Sequence, residues 1–419
     1  MSRAVITPRI LKGSITPPPS KSAAHRAIIC AALAVGRTEI APFVMSDDMK
    51  ATIGAVEALG ARVTVSENRI TVDGSNTFRT IKPKIDCLES GSTLRFMIPV
   101  AAVSGSEITF TGKGRLPERP IGPYLECLPK AGVSCETEGG LPLKISGKLQ
   151  SGEFSLPGNI SSQFITGLLL ALPLLPGDSV IKLTTPLESS GYVDLTIDVM
   201  ERFGVEIECR NGSYFVKGNQ KYTACNFQTE ADWSQAAFWI AAGALGADIS
   251  CNGLNPDSKQ GDKAMLDVMA KFGAKVTPKG ARSGILSGCE IDASQIPDLV
   301  PPIAAVAALS KGTTVIRGAQ RLRIKESDRL ECIAKGLSAL GANVEVTADG
   351  LIIKGVDELR GGTADGCNDH RIVMALAIAA MRSRGQVIIN GCECINKSYP
   401  DFFKDYNSLG GSAYVVNDR

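Results

Sequence analysis

The chain has 419 residues, 44% of them hydrophobic and 21% charged, which is enough for two or three domains with sizeable cores and excludes a disordered protein. Its 45 basic and 43 acidic residues leave a net charge of +2, which excludes the one-signed surface field that a nucleic-acid or anionic-membrane partner requires. A local charged pocket is untouched by that balance.

Along the chain, residues 1–21 mix Arg3, Arg9 and Lys12 with prolines and contain no apolar core of a secretory leader. The twelve cysteines form no C-x-x-C pair, only the C-x-C of Cys392 and Cys394, and His25 and His370 are the only histidines. No metal site is expected, and a cytoplasmic location with reduced thiols is. The longest apolar stretch, Phe164 to Pro176, spans 13 residues and contains Gly167 and two prolines. A membrane span needs about 20 apolar residues, so this segment reads as a buried core helix.

A short phrase then recurs: Ala58-Leu59-Gly60-Ala61, Lys130-Ala131-Gly132-Val133, Arg202-Phe203-Gly204-Val205, Lys271-Phe272-Gly273-Ala274, Ala339-Leu340-Gly341-Ala342 and Ser408-Leu409-Gly410-Gly411. Its glycines are separated by 72, 72, 69, 68 and 69 residues. The phrase describes a helix ending on a left-handed glycine and followed by a strand. Before Gly341, residues Leu330, Ile333, Leu337 and Leu340 line one face of an amphipathic helix. A more apolar helix precedes each phrase and ends near glycines 36, 105, 177, 246, 312 and 385. A helix apolar on nearly all sides has to be buried, with amphipathic helices and one-sided strands outside it. Six units divide into two domains of three, with the break near Cys225 to Asp232.

The apolar helices open on Ser20-Lys21-Ser22, Ser90-Gly91-Ser92, Ser161-Ser162-Gln163, Asp232-Trp233-Ser234, Pro297-Asp298 and Asp369-His370-Arg371. Ser and Asp there are ordinary N-caps. Lys21 with Arg26, Ser162 with Gln163, and His370 with Arg371 add donors that capping does not require. Helix N-termini also favour anions, each by roughly 0.3–1 kcal/mol. Arg supplies a bidentate fork for carboxylate or phosphate and Lys a point charge.

Charged segments introduce the amphipathic helices too: Arg115-Leu116-Pro117-Glu118-Arg119-Pro120, the run Arg321 to Arg329, and Asn396-Lys397-Ser398-Tyr399-Pro400. Glu326, between Lys325 and Arg329, should stay ionised and be able to accept a proton. Asp298 is the second candidate base, with a simple N-cap as the alternative. No G-x-x-x-x-G-K-[ST], G-x-S-x-G or H-E-x-x-H motif occurs, so anion binding is distributed along the chain.

Taken in order, Pro19-Ser20-Lys21-Ser22, Arg115 to Ile121, Ser161-Ser162-Gln163-Phe164, Lys325 to Arg329, Asn368 to Arg371 and Lys397-Ser398-Tyr399-Pro400-Asp401 resemble the enolpyruvyl transferases of the shikimate pathway. The resemblance covers essentially the whole chain. It implies an α/β fold of two similar domains, each of three βαβαββ-type units with buried helices inside and sheets outside, an inside-out α/β barrel. Residues 14–227 would form one domain, and 1–13 with 228–419 a discontinuous second, with the active site in the cleft between them. The implied reaction joins phosphoenolpyruvate to the 5-hydroxyl of shikimate 3-phosphate and releases phosphate. It runs by addition to a tetrahedral intermediate and elimination, without metal or cofactor, in a monomer with no nucleic-acid or membrane partner.

The same resemblance implies the residue roles. Lys21, Ser22 and Arg26 would hold shikimate 3-phosphate, and Ser161, Ser162, Ser189 and Lys325 would cradle its phosphate, with Gln163, Tyr192 and Asp298 also binding this substrate. Gly91, Arg119, Gln163, Arg329, Arg371, Lys397 and Lys21 would take phosphoenolpyruvate. Asp298 faces the 5-hydroxyl and Glu326 the methylene carbon, where Lys21 is a rival proton donor; His370 joins them as a catalytic candidate. Two departures from the family pattern are Glu89-Ser90-Gly91-Ser92, where Asn-x-Gly-Thr is common, and Arg321 in place of an Asn. Gly91 lacks the methyl of glyphosate-tolerant members, so inhibition by glyphosate in competition with phosphoenolpyruvate is expected.

Three other readings compete. A related transferase for a UDP-amino sugar would place a Cys in residues 115–120, which contain none. An RNA-end-modifying enzyme with His370 as nucleophile would need a basic face and stacking aromatics, and aromatics are 5%. A non-catalytic binding protein would tolerate Glu326→Gln or Lys21→Met.

Overall fold

The computed structural model describes residues 2–417. Among the described residues, twelve α-helices fall into six pairs, each an apolar helix followed by an amphipathic one. The pairs are α1 (Lys21–Leu33) and α2 (Asp47–Ala58), α3 (Gly91–Ala102) and α4 (Gly122–Cys127), and α5 (Ser162–Ala171) and α6 (Ser190–Arg202). They continue with α7 (Trp233–Ala244) and α8 (Met265–Phe272), α9 (Val300–Ala307) and α10 (Arg329–Ala339), and α11 (His370–Ala379) and α12 (Phe402–Ser408). Every residue of α7, α9 and α11 is buried, whereas α10 buries Arg329, Leu330, Ile333, Ala334, Gly336 and Leu337 and exposes the rest to different degrees.

The six phrase glycines are all left-handed, with φ 104° at Gly60, 85° at Gly132, 79° at Gly204, 94° at Gly273, 103° at Gly341 and 85° at Gly410. Of the glycines after the apolar helices, Gly36, Gly105, Gly246 and Gly312 have positive φ, and Gly177 and Gly385 do not. The helices before those two run into 3-10 turns, Leu172–Leu174 and Ala380–Arg382, which already end the helical path.

A strand missed by periodicity precedes each apolar helix and completes a βαβαββ order. In the second repeat, Lys84–Asp86 pairs in parallel with Ile108–Thr111, which pairs antiparallel with Leu143–Ser146 and that with Ser134–Glu136. The third and fifth repeats build the same four-stranded order. The first takes its leading strand from Phe227–Gln228, parallel to Arg37–Ala41. The sixth takes its last strand from Ser2–Ile6, between Val387–Asn390 and Ala413–Asn417. In the fourth, Lys12–Ile15 pairs with Asp248–Cys251 and Lys275–Thr277 with Gly280–Arg282, and a Cys251 N–H to Lys279 carbonyl bond of 2.8 Å joins the two pairs.

The chain divides into two compact units. Pro19–Glu230 forms one, and the described residues up to Pro18 and from Ala231 form the other, so the crossings lie at 18/19 and 230/231. Each unit has its own apolar core. In the first, α3 packs on α5, α5 on α6 and α1 on α6; in the second, α11 packs on α7 and α9.

Candidate active site

Five apolar helices begin on capped N-termini, with every cap but the half-buried Ser161 buried in its own unit. Ser20, Ser90, Ser161, Asp232 and Asp369 accept from the backbone N–H groups of Ala23, Thr93, Gln163, Gln235 and Arg371. The sixth differs: Asp298 lies in a 3-10 turn, Pro297–Leu299, and makes no cap, so its carboxylate serves other partners.

In the unit Pro19–Glu230, Lys21 at the start of α1 places Nζ 2.6 Å from Asp48 Oδ2. Arg26 is buried and bonded through all three nitrogens: Nη1 donates to the Ser22 carbonyl at 2.8 Å, Nη2 to the Tyr192 carbonyl at 2.9 Å and Nε to Thr196 Oγ1 at 2.7 Å. Burial pushes this guanidinium down to about 10. Its bonds tie the first turn of α1 to α6, whose leading residue Ser189 is buried and left-handed, with φ 58°. Arg26 thus positions Ser22 and Tyr192 with three of its five N–H donors.

Gln163 joins α5 to α3. Its Nε2 donates to Ser92 Oγ at 2.9 Å, and its Oε1 accepts from Arg95 Nη1 at 2.7 Å. Arg95 also donates from Nη2 to the Pro120 carbonyl at 2.9 Å, which fixes the peptide just after Arg119. Pro99 has no N–H for the Arg95 carbonyl, and the Tyr124 hydroxyl stands 2.8 Å from that oxygen. Arg119 is buried against Gly91: a Cβ built there would lie 2.6 to 2.7 Å from the guanidinium. Only glycine admits the cation this close to the α3 N-terminus.

In the other unit a single guanidinium organises the charges. Arg329, the first residue of α10, is fully buried and donates from Nε to Asp369 Oδ2 at 2.7 Å, from Nη1 to Asp298 Oδ1 at 2.8 Å and from Nη2 to Glu326 Oε2 at 2.7 Å. Burial alone would lower its pKa, but Asp369, Glu326 and Asp298 more than reverse that and hold it above the ordinary value. Asp298 also has Lys325 Nζ at 3.4 Å and Arg371 Nη2 at 3.3 Å, while Arg371 Nη1 donates to its carbonyl at 3.1 Å. Burial lowers the Lys325 pKa, against the pull of Asp298. Lys397 Nζ donates to the Asn368 carbonyl at 2.7 Å. His370 is buried, with Nδ1 3.9 Å from Asp369 Oδ1.

Among the sequence candidates, Asp298, Lys325, Glu326, Arg329, His370, Arg371 and Lys397 are thus brought together in one unit. Lys21, Ser22, Arg26, Gly91, Arg119, Ser161, Ser162, Gln163, Ser189 and Tyr192 lie at or beside helix starts of the other. Sequence reasoning missed the hub carboxylate Asp369, read as a cap, and the Lys21 partner Asp48. It also missed Arg95 and Asp262, a buried acid pushed up to about 6 by burial first and by nearby Asp298. Asp369 carried a faint signal, since it directly precedes His370 and Arg371. The departure Arg321 is buried and donates from Nη2 to the Ser294 carbonyl at 2.7 Å, bracing the turn before Lys325.

This fold is shared by solved enolpyruvyl transferases. An EPSP synthase structure from Acinetobacter baumannii superposes with a TM-score of 0.84 at 26% identity, covering 100% of both chains. The enolpyruvyl transferase NikO from Streptomyces tendae superposes with a TM-score of 0.81 at 18% identity, a likeness of fold. The family description EPSP synthase (3-phosphoshikimate 1-carboxyvinyltransferase) matches residues 5–406. A 3-phosphoshikimate 1-carboxyvinyltransferase of Clostridium perfringens is 48% identical, with 98% of this chain and 99% of the relative covered. One from Clostridium acetobutylicum is 47% identical, with 99% of each covered. The chain belongs to the EPSP synthase family.

Proposed function

We propose that this chain transfers the carboxyvinyl group of phosphoenolpyruvate to the 5-hydroxyl of shikimate 3-phosphate and releases phosphate. The observation that carries this reading is the Arg329 cluster, in which one guanidinium holds both carboxylates needed for proton transfer, Asp298 and Glu326, at 2.8 and 2.7 Å. Paired in this way, both are held oriented until substrate competes for the cation.

In this proposal Asp298 takes the proton of the 5-hydroxyl as its oxygen attacks C2 of phosphoenolpyruvate. Glu326 or Lys21 protonates C3, giving a tetrahedral intermediate. Elimination returns the C3 proton and breaks the bond between C2 and the phosphate oxygen. His370 packs beside Asp369 and supports the cluster. Lys21, Ser22, Arg26, Ser161, Ser162, Gln163, Ser189, Tyr192, Asp298 and Lys325 take shikimate 3-phosphate. Lys21, Gly91, Arg119, Gln163, Arg329, Arg371 and Lys397 take phosphoenolpyruvate. Arg329, already held by three carboxylates, would share its remaining donor capacity with the anion. The two sets of residues act on one pair of substrates, in a monomeric cytoplasmic enzyme whose three sheets per unit enclose three apolar helices. Two phosphates and two carboxylates repel one another until such cations neutralise them, and this neutralisation favours the cationic species formed on protonation.

Phosphate release from phosphoenolpyruvate, measured with and without shikimate 3-phosphate, tests the reading. Release is expected only with both substrates present, and release from phosphoenolpyruvate alone would overturn it.

A further inference from the structure

Inside the core of the unit Pro19–Glu230, three helices are joined by a line of hydrogen bonds that takes no part in the chemistry above. His25 lies in the second turn of α1, Thr52 in α2, and Ser90 and Thr93 at the start of α3. All four side chains are buried. His25 Nδ1 stands 2.6 Å from Thr52 Oγ1, which stands 2.8 Å from Thr93 Oγ1. Thr93 Oγ1 donates to Ser90 Oγ at 2.9 Å, and the Thr93 N–H donates to the same oxygen at 3.2 Å. The line therefore ends on the cap of α3, beside Gly91, whose missing side chain admits Arg119.

The line has one direction, because each hydroxyl has one hydrogen and two lone pairs. The Thr93 hydrogen is spent on Ser90, so Thr52 donates in the 2.8 Å contact; its 3.4 Å approach to the Asp48 carbonyl is the weaker one. With the Thr52 hydrogen spent as well, the 2.6 Å contact requires a hydrogen on His25 Nδ1. Burial first, and then the charges of Lys21 and Arg26, hold the His25 pKa well below its ordinary value, so the ring is neutral and carries that hydrogen alone. Nε2 is then a bare nitrogen. Among the described residues it is buried without a hydrogen-bond partner, and the ring stands T-shaped against Phe96.

We propose that His25, held as the Nδ1–H tautomer, is a positioning residue that acts through Thr52 and Thr93 on Ser90 and so sets Gly91 against Arg119 for phosphoenolpyruvate. The kinetic half rests on the reading that Gly91 and Arg119 hold that substrate. Ser90 Oγ accepts two hydrogen bonds, which fill both lone pairs and leave the cap one orientation. Without the Thr52 hydroxyl, Thr93 has no donor on its far side, and the first turn of α3 loses this tie to α1 and α2.

The test makes two measurements on the full-length protein. Labelling histidine with nitrogen-15 gives only two reporters, His25 and His370, and the signals missing in His25→Asn assign them. Long-range proton–nitrogen correlation spectra at neutral pH are expected to show His25 protonated on Nδ1 and bare on Nε2. In steady-state kinetics, Thr52→Val is expected to raise the KM for phosphoenolpyruvate about ten-fold while kcat stays within about two-fold. Thr52→Ser keeps the hydroxyl, and the amide N–H of His25→Asn stands in for Nδ1–H, so both should keep KM within about two-fold. Thr93→Val serves if Thr52→Val folds poorly. An Nε2–H or doubly protonated His25, an unchanged KM in Thr52→Val, a fall in kcat as large as the rise in KM, or the same KM rise in Thr52→Ser overturns the inference. Protein that releases no phosphate from the two substrates overturns the proposed reaction and the kinetic half, while the spectra still decide the tautomer and the direction of the line.

Discussion

Arg329 has three carboxylates around one buried guanidinium, and their proton chemistry follows from that crowding. Removing a carboxylate with a chemical duty should cost rate, whereas removing the cation should cost the fold. For Glu326→Gln, kcat is expected to fall about 10²–10⁴-fold with the dissociation constant for shikimate 3-phosphate little changed, as measured by single-turnover kinetics and calorimetry. Equal losses in binding and turnover would make Glu326 a structural partner of Arg329 alone. Arg329→Ala strands Asp369 and Asp298 in the interior and should destabilise its unit by about 3–5 kcal/mol in urea unfolding. At Gly91, an added methyl would meet the Arg119 guanidinium at 2.6 Å and displace it. Gly91→Ala is therefore expected to raise both the KM for phosphoenolpyruvate and the inhibition constant of glyphosate in steady-state kinetics. An unchanged inhibition constant would mean that Arg119 and Gly91 do not shape that pocket.

At the scale of the element, the repeating glycine ends each amphipathic helix and turns the chain into a strand. A methyl at Gly60 combines a φ of 104° with an approach of 2.6 Å to the Asn76 carbonyl. Gly60→Ala should cost at least about 1–2 kcal/mol in chemical denaturation, whereas Gly54→Ala, with open space around the new methyl, should not. These helix ends were legible because a left-handed stop is a local demand that one residue type answers. The leading strands were not: Lys84–Asp86 and Phe227–Gln228 are too short for alternation to register, and their parallel partners lie across a helix or most of a unit. The site was legible in the same uneven way. Lys325, Glu326 and Arg329 stood in one dense run, and Asp298 opened an apolar helix. Asp48 gave no signal and Asp369 looked like an ordinary cap because their partners, Lys21 and Arg329, are brought to them only by tertiary packing.

At the scale of the whole molecule, two consequences follow, one for pH and one for connectivity. Asp262 is buried and pushed up to about 6, above the 3.8 of a free carboxyl, by burial and then by Asp298. A raised folded value means that stability is fully present below about pH 4 and is lost as pH rises through about 6. Asp262→Asn should therefore stabilise the protein by on the order of 2 kcal/mol at pH 7.5, with the gain shrinking toward pH 4.5. A difference in Tm that stays constant across that range would rule this out.

The connectivity has a different outcome. The unit Pro19–Glu230 contains every strand of its own sheets, so this fragment is expected to fold alone with a cooperative urea transition. A fragment from Ala231 onward lacks Ser2–Ile6 and Lys12–Ile15, and should gain such a transition only when a peptide of residues 1–18 is added. On the ribosome the same arrangement imposes an order of assembly. The strand Ser2–Ile6 is bracketed by Val387–Asn390 and Ala413–Asn417, so it must wait, unpaired, until those later segments have been made. Any nascent-chain factor that guards exposed strand edges would meet a long task at Ser2–Ile6, whose partners are made only after the unit Pro19–Glu230 has left the ribosome.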